Sequence, residues 1–193
     1  MTAPGLAALF AVALLVIIGG FIALASYNAV VALRQRIDKA WSNIGVVLRQ
    51  RHDELPNLVA AVRDLMAYER DVLTRVTEAR NAYSPAAPIP DQAVTSEATT
   101  AAVRSLFAVV ERYPDIKAAA NVADLQDEIE RLEAMIADRR ELYNDQVYRY
   151  NTRIGQVPGA LLAPAFGWRQ RAFFTAEPGD TIRPDTDLRP TRS

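Results

Sequence analysis

The sequence contains no cysteine, which excludes disulfides, iron–sulfur clusters and thiolate metal sites from the chain. Histidine is almost absent as well, since His52 is the only one, so the chain cannot supply two imidazoles to one site. Lys39 and Lys117 are the only lysines, and arginine provides nearly all the positive charge. These shortages remove the usual metal-binding patterns, and we predict no cofactor.

The charge balance argues against nucleic acid as a partner. Lys and Arg number 22 and Asp and Glu 23, a formal net charge of -1, whereas duplex-binding proteins usually concentrate excess basic residues on one face. His52 beside Asp53 resembles a general base and its orienting group, but no nucleophile motif such as Gly-Xaa-Ser-Xaa-Gly accompanies the pair. We therefore predict no enzyme, and no small-molecule substrate is evident.

The N-terminal part has no ionisable side chain from Thr2 to Leu33, and Leu6 to Ala25 is a continuous apolar run. About 20 such residues cross a hydrocarbon core roughly 30 Å thick. A cleaved signal peptide is the alternative, with Ala23-Leu24-Ala25 as its small-residue cleavage site. The missing basic n-region and the length of the run favour a retained anchor over residues 1–26.

The basic residues next to the anchor predict its orientation. No Lys or Arg precedes the apolar run, while Arg34, Arg36 and Lys39 follow it closely. The positive-inside rule therefore predicts a single-pass protein of the cell membrane, with its N-terminus outside and its C-terminal part in the cytoplasm. Tyr27, just past the run, is placed at the membrane interface.

Apolar residues at helical spacing continue after the anchor. The first stripe comprises Val30, Leu33, Ile37, Ala40, Ile44 and Val47, and a second stripe comprises Leu58, Val62, Leu65, Val72, Val76 and Ala79. Pro56 lies between them, with Asp53 in a position to cap the helix that follows. The pattern predicts two helices that meet at Pro56 and pack their apolar faces together.

Two further helices are predicted after a connection with three prolines, residues 84–91. Asp91 or Thr95 is expected to cap the third helix, which ends before Pro114. The fourth helix carries an a/d repeat, interrupted by Arg139, that comprises Val122, Leu125, Ile129, Leu132, Ile136, Tyr143, Val147, Tyr150 and Ile154.

The predicted fold is all-α, with the N-terminal transmembrane helix leading into an up-and-down bundle of four long antiparallel helices. The bundle is assigned to residues 27–157, an extended apolar docking segment to 158–174 and a disordered tail to 175–193. The anchor and the first bundle helix could be continuous, because no helix breaker stands between Ala23 and Asp53.

The docking segment is too apolar for a free tail and too interrupted by proline and glycine for a helix of any length. It either lies on the bilayer or covers the end of the bundle. Because the four helices are predicted to alternate in direction away from and toward the membrane, the segment after the fourth helix is expected beside the membrane. The candidate membrane-interface residues are Tyr27, Leu161, Leu162, Phe166, Trp168, Phe173 and Phe174.

Several motifs together resemble the LemA family of bacterial membrane-anchored helical proteins. They are Tyr27-Asn28, Ala40-Trp41-Ser42-Asn43-Ile44, the stretch from Leu48 to Leu58, Val109 to Ala118, Arg139-Arg140, Tyr143-Asn144-Asp145 and Tyr150-Asn151-Thr152. The resemblance covers residues 27 to about 174, in order and at compatible spacing. It implies a helical, membrane-attached fold and no established reaction.

The family tends to carry a histidine directly before the glutamate that corresponds to Glu69. This chain has Tyr68 at that position, so a metal role for a His-Glu pair is not supported.

Helix counting also concerns the turn between helices one and two and the turn between helices three and four, which are both charged. It places both turns at the end of the bundle far from the membrane. We expect this end either to satisfy its own helix termini by ion pairs or to bind a protein partner. The candidate partner-binding residues are Arg49, Arg51, His52, Asp53, Glu54, Asn57, Glu111, Arg112, Asp115 and Lys117.

The functional hypothesis is a membrane-anchored scaffold or adaptor that acts through a protein partner or self-association. A metal-dependent or other enzyme within the bundle and a membrane-organising oligomer are the alternatives.

Tyr143-Asn144 and Tyr150-Asn151 share a face and either bond to Tyr27-Asn28 or point their polar tips to water.

Overall fold

The structure is a computed structural model that describes residues 3–63, 69–117 and 119–176, without the side chains of residues 3–8 and 117. Every regular element in this described part is helical, which confirms the all-α class. The helices are α1 Ala3–Arg63, α2 Arg70–Asn81, α3 Ile89–Val110, α4 Pro114–Lys117, α5 Ala120–Gly155 and α6 Gly159–Phe166. The antiparallel arrangement of the four-helix bundle stays a prediction, and the tail from residue 177 lies outside the described residues.

Helix α1 joins the apolar run to the amphipathic stripe without a break, as the lack of breakers predicted. Its N-terminal part is long and apolar enough to cross a membrane. The large side chains there are exposed on all sides, from Leu9 and Phe10 to Ile22 and Leu24. A helix that is apolar all round and uncovered by its own chain is suited to lipid.

The predicted break at Pro56 is wrong, because α1 continues through this proline to Arg63. A proline in a helix lacks the N–H that would bond the carbonyl of the residue four positions earlier, here His52. The Nε of Arg80 donates a hydrogen bond to the His52 carbonyl oxygen at 3.1 Å and replaces the missing donor. Asp53 is consequently an exposed residue within α1 and caps no helix.

The chain forms two compact units, and the first consists of Met1–Gln50 and Arg131–Phe173. In this unit α1 packs on α5, since Arg139 Nη1 donates to the Asn43 carbonyl oxygen at 2.9 Å and the Trp41 and Tyr143 rings lie 5.6 Å apart. The predicted stripes are buried here except at Leu33, which is half-buried. The buried positions comprise Val30, Ile37, Ala40, Ile44 and Val47 of α1 and Leu132, Ile136, Tyr143, Val147, Tyr150 and Ile154 of α5.

The second unit consists of Arg51–Glu130 and the segment that begins at Phe174. Its core contains the remaining α1 stripe, α2 and α3, with Leu58, Val62, Val72, Val76, Val103, Leu106 and Val110 buried. The predicted caps of α3 are wrong, because the helix begins after Pro88. The side-chain amide of Gln92 instead donates to the carbonyls of Pro85 and Ala87, at 3.1 and 2.8 Å, and fixes the proline-rich connection.

The segment after α5 is partly helical, which corrects the expectation of an extended chain throughout. Residues Gly159–Phe166 form α6, and regular structure ends at Gly167. Gly159 permits the reversal from α5 into α6, because a Cβ there would run into the carbonyl of Arg153. Gly167 has φ +63 and ends α6 in the left-handed conformation that glycine adopts without strain. Among the described residues after α6, 168–176 lack helical structure.

Candidate functional site

Three residues of the two Tyr-Asn pairs, Tyr143, Tyr150 and Asn151, hold the chain after α6, and we call residues 169–172 the strap. The hydroxyl of Tyr143 donates to the Ala172 carbonyl at 2.9 Å, and that of Tyr150 donates to the Arg169 carbonyl at 3.0 Å. The side chain of Asn151 pairs with the backbone of Arg171, accepting from its N–H at 2.9 Å and donating to its carbonyl at 3.0 Å. These bonds satisfy backbone groups that have no helix to pair with.

The sequence did not predict the strap backbone as a partner of these side chains. It predicted that their polar tips bond either to Tyr27-Asn28 or to water. In the structure, Tyr143, Tyr150 and Asn151 bond to the strap backbone instead. Side-chain bonds to irregular backbone carry no periodicity, so the fold alone reveals them.

Burial raises the pKa of the Tyr143 hydroxyl to about 12, because phenolate would lose its hydration there. The nearby Arg171 guanidinium acts in the opposite direction, and Asp38 adds to the increase. Arg171 Nη2 also lies 3.3 Å from Asp38 Oδ1 and links the strap to α1. The strap is therefore bonded to both long helices of the first unit.

An aromatic cluster lies where the apolar run of α1 ends. The ring of Tyr27 lies 5.0 Å from Phe166 and 6.2 Å from Trp168, and the latter two stack at 5.2 Å. Trp168 is buried, whereas Tyr27 and Phe166 remain partly exposed. The C-terminal segment therefore packs on α1 at Tyr27, while its predicted place beside the bilayer stays a prediction.

The candidate membrane-interface residues divide into a buried and an exposed group. Trp168 and Phe174 are buried in the protein, Phe174 within the second unit, and Leu162 and Phe173 are half-buried. Leu161 is 73% exposed, and Phe166 is exposed as well. The segment therefore covers protein with one side and leaves an apolar side uncovered.

Arg51 is a buried guanidinium within the second unit, with only 3% of its surface exposed. Its Nη2 donates to Ser96 Oγ at 3.0 Å and approaches the Ser96 carbonyl at 3.4 Å, and its Nη1 donates to Thr100 Oγ1 at 3.0 Å. These bonds fasten α1 to the N-terminal half of α3. Arg51 is a structural residue here rather than a surface charge.

A groove lies beside Pro56, between the end of α1 and α2. Its volume is about 180 Å³, and the apolar part of its lining comes from Leu55, Pro56, Val59 and Val76. Arg63, Thr77 and Arg80 complete the lining. An apolar cleft bordered by two guanidinium groups suits a ligand with an apolar part and a carboxylate.

The predicted cluster of ten charged and polar residues does not assemble as expected. Arg51 bonds to α3 at Ser96, whereas Arg112 follows the other end of that helix and pairs with Glu69 at 3.2 Å. Ser96 and Val110 are about 21 Å apart along a helix axis. Because the turn at Pro56 is absent, the two motifs within the second unit lie at different levels of α3.

The other predicted site residues occupy varied surroundings. His52 packs its ring 5.6 Å from Tyr83, and Asn57 donates to Glu54 Oε2 at 3.0 Å. Glu69 contacts Arg112 and accepts a hydrogen bond from the Tyr113 hydroxyl, the latter at 3.3 Å. Arg49, Asp53, Glu111 and Asp115 are exposed, as are Asn57 and Arg112, and the side chain of Lys117 lies outside the described residues. Across the described ranges, no three His, Asp or Glu side chains group as metal ligands.

Comparison with known proteins yields one family and several relatives. The sequence profile of the LemA family matches residues 40–187. The magnetosome proteins MamQ 1 and MamQ 2 of Paramagnetospirillum magneticum are each 36% identical to the chain over 81 residues. MamQ of Magnetospirillum gryphiswaldense is 32% identical over the same length. Each match covers 42% of this chain and 30% of the relative.

Proposed function

The chain belongs to the LemA family, and we propose that it is a membrane-anchored scaffold that binds a cytoplasmic protein partner through the groove beside Pro56. The groove is the observation that carries this proposal. It combines an apolar lining with Arg63 and Arg80 on a helical surface.

The anchor supports the membrane part of the proposal. The apolar part of α1 is exposed, and Arg34, Arg36 and Lys39 follow it on exposed positions. In the proposed orientation these cations stay on the cytoplasmic side and the amphipathic helices face the cytoplasm. Membrane attachment confines the groove to the membrane, as a membrane-anchored scaffold requires.

The chemistry of the groove defines the kind of partner. Leu55, Val59 and Val76 offer an apolar lining, on which burial of one large side chain contributes about 1.5–3 kcal/mol. The guanidinium of Arg63 is exposed and available to a carboxylate, while Arg80 also serves the His52 carbonyl. We infer that the partner offers a large apolar residue next to Asp, Glu or a C-terminal carboxylate.

The proposal is tested with full-length protein in lipid nanodiscs and a fluorescent peptide panel. Peptides with a leucine flanked by aspartate should bind, and peptides with lysine in place of aspartate should not. Arg63→Glu should weaken binding of the acidic peptides at least tenfold, since it replaces attraction by repulsion. Arg75→Glu is the matched control, because Arg75 is an exposed arginine of α2 that does not line the groove.

A photocrosslinking residue at Thr77, introduced in living cells, identifies the natural occupant of the groove. A crosslinked peptide with apolar and acidic residues, lost in Arg63→Glu and retained in Arg75→Glu, supports the proposal. A crosslink to a second copy of this chain would favour the membrane-organising oligomer instead. Equal binding of acidic and basic peptides, unchanged by Arg63→Glu, would refute the groove as the docking site.

A further inference from the structure

A second uncharged stretch follows α5, from Gln156 to Trp168, and it contains α6. The residues of α6 that face outward are apolar, namely Ala160, Leu161, Pro164, Ala165 and Phe166. Leu161, Pro164 and Ala165 are spaced by three and four positions and therefore share one side of the helix. Val157, in the turn before α6, is 75% exposed and adds to this apolar surface.

The position of α6 indicates what covers this surface. Phe166 and Trp168 pack on Tyr27, and the residues directly before Tyr27 belong to the apolar part of α1. The outward side of α6 is thus continuous with the surface of a helix suited to lipid. Arg153 and Arg169, both exposed, flank the uncharged stretch on either side, as expected of a segment held at the lipid headgroups.

We propose that α6 lies in the interface of the bilayer that holds the anchor, with Val157, Leu161 and Phe166 inserted among the lipids. The strap bonds from Tyr143, Tyr150 and Asn151 fix the chain just after α6 at the end of α5. The anchor and α6 then form two attachments to one membrane surface. This restricts tilting of the first unit, which a single transmembrane helix leaves free.

The absence of native cysteine makes the proposal testable by spin labelling of the full-length protein. One nitroxide is attached through Leu161→Cys and another, as control, through Leu142→Cys, in vesicles of phosphatidylcholine and phosphatidylglycerol. Leu142 is also exposed and lies on α5, about 20 Å along the helix from Gly155. Collision rates with oxygen, which concentrates in lipid, and with a water-soluble nickel chelate are then measured.

We expect the ratio of oxygen to nickel collisions to be several-fold higher for the Leu161 label than for the Leu142 label. Val157→Cys should repeat the result of Leu161→Cys. A Leu161 label that meets the nickel chelate as readily as the Leu142 label would overturn the proposal. Low collision rates with both reagents would overturn it too, because they would show that protein, such as a second copy, covers α6.

Tryptophan fluorescence of each cysteine variant, measured in a Trp41→Phe background before the nitroxide is attached, reports on Trp168 alone and verifies that the aromatic cluster is intact. The outcome is independent of the groove, because α6 belongs to the first unit and the groove residues to the second. Loss of peptide binding in Arg63→Glu therefore leaves the collision ratio at Leu161 unchanged.

Discussion

The first unit is held together along a regular apolar repeat, whereas the second adds individual polar contacts to its apolar core. In the first, the a/d positions of α5 pack on the α1 stripe, and the strap is added by side-chain bonds to backbone. In the second, Arg51 fastens α1 to α3 and Arg80 compensates for Pro56. A repeat spreads its stabilisation over many residues, while a buried polar contact concentrates it in one.

The largest effect is expected for Arg51→Ala. The change removes a buried side chain, leaves a cavity and leaves Ser96 Oγ without its donor, for a loss of about 3 kcal/mol. Thermal unfolding of the purified protein measures the loss, and hydrogen exchange should accelerate across residues 89–100. Arg49→Ala, two positions away and exposed, should change the melting temperature little. Equal effects of the two substitutions would refute the structural role of Arg51.

A somewhat smaller effect is expected at Pro56. Pro56→Ala restores a backbone N–H for the His52 carbonyl, so it should stabilise the second unit by up to about 2 kcal/mol. Arg80→Met should destabilise the natural sequence by about 1 kcal/mol, because it removes the donor that replaces this N–H. The cost of Arg80→Met should nearly vanish in the Pro56→Ala background. Strict additivity of the two changes, in thermal unfolding, would show that Arg80 does not compensate for Pro56.

The smallest effect concerns the strap of the first unit. Tyr143→Phe removes the bond to the Ala172 carbonyl and should cost about 1 kcal/mol at neutral pH. Hydrogen exchange in residues 169–172 should increase, while residues 89–100 of the second unit stay unchanged. Exchange that rises equally in both ranges would contradict the assignment of the strap to the first unit.

The raised pKa of Tyr143 also predicts a pH dependence of the stability of the folded protein. The pKa of Tyr143 is raised from 10.0 to about 12 in the folded protein, so the unfolded chain loses this proton first. Its contribution to stability is therefore complete below pH 10.0 and is lost as the pH rises toward about 12. Melting temperature should fall more steeply over this window in the natural protein than in Tyr143→Phe. Parallel curves would show that Tyr143 titrates alike in both states.

The sequence predicted the apolar and periodic features of the chain well. The exposed anchor, the buried stripe from Val30 to Val47 and the long helix from Ala120 to Gly155 all follow from spacing and composition. Side-chain burial on a helix depends on its own period of 3.6 residues, which is visible in one chain. The resemblance to the LemA family rested on motifs spread from Tyr27 to Thr152, and the family match confirmed it.

Tertiary structure alone decided how single polar groups are satisfied. Pro56 predicted a helix end, but Arg80 supplies its missing bond from 24 positions further on, as the pairing of Arg80 with His52 shows. Arg51 was expected on the surface, yet Ser96 and Thr100 bury it, and α6 forms where proline and glycine predicted no helix. Apolar burial is set by local periodicity and therefore by sequence. Hydrogen bonds between distant residues depend on which helices meet, and only the folded chain determines that.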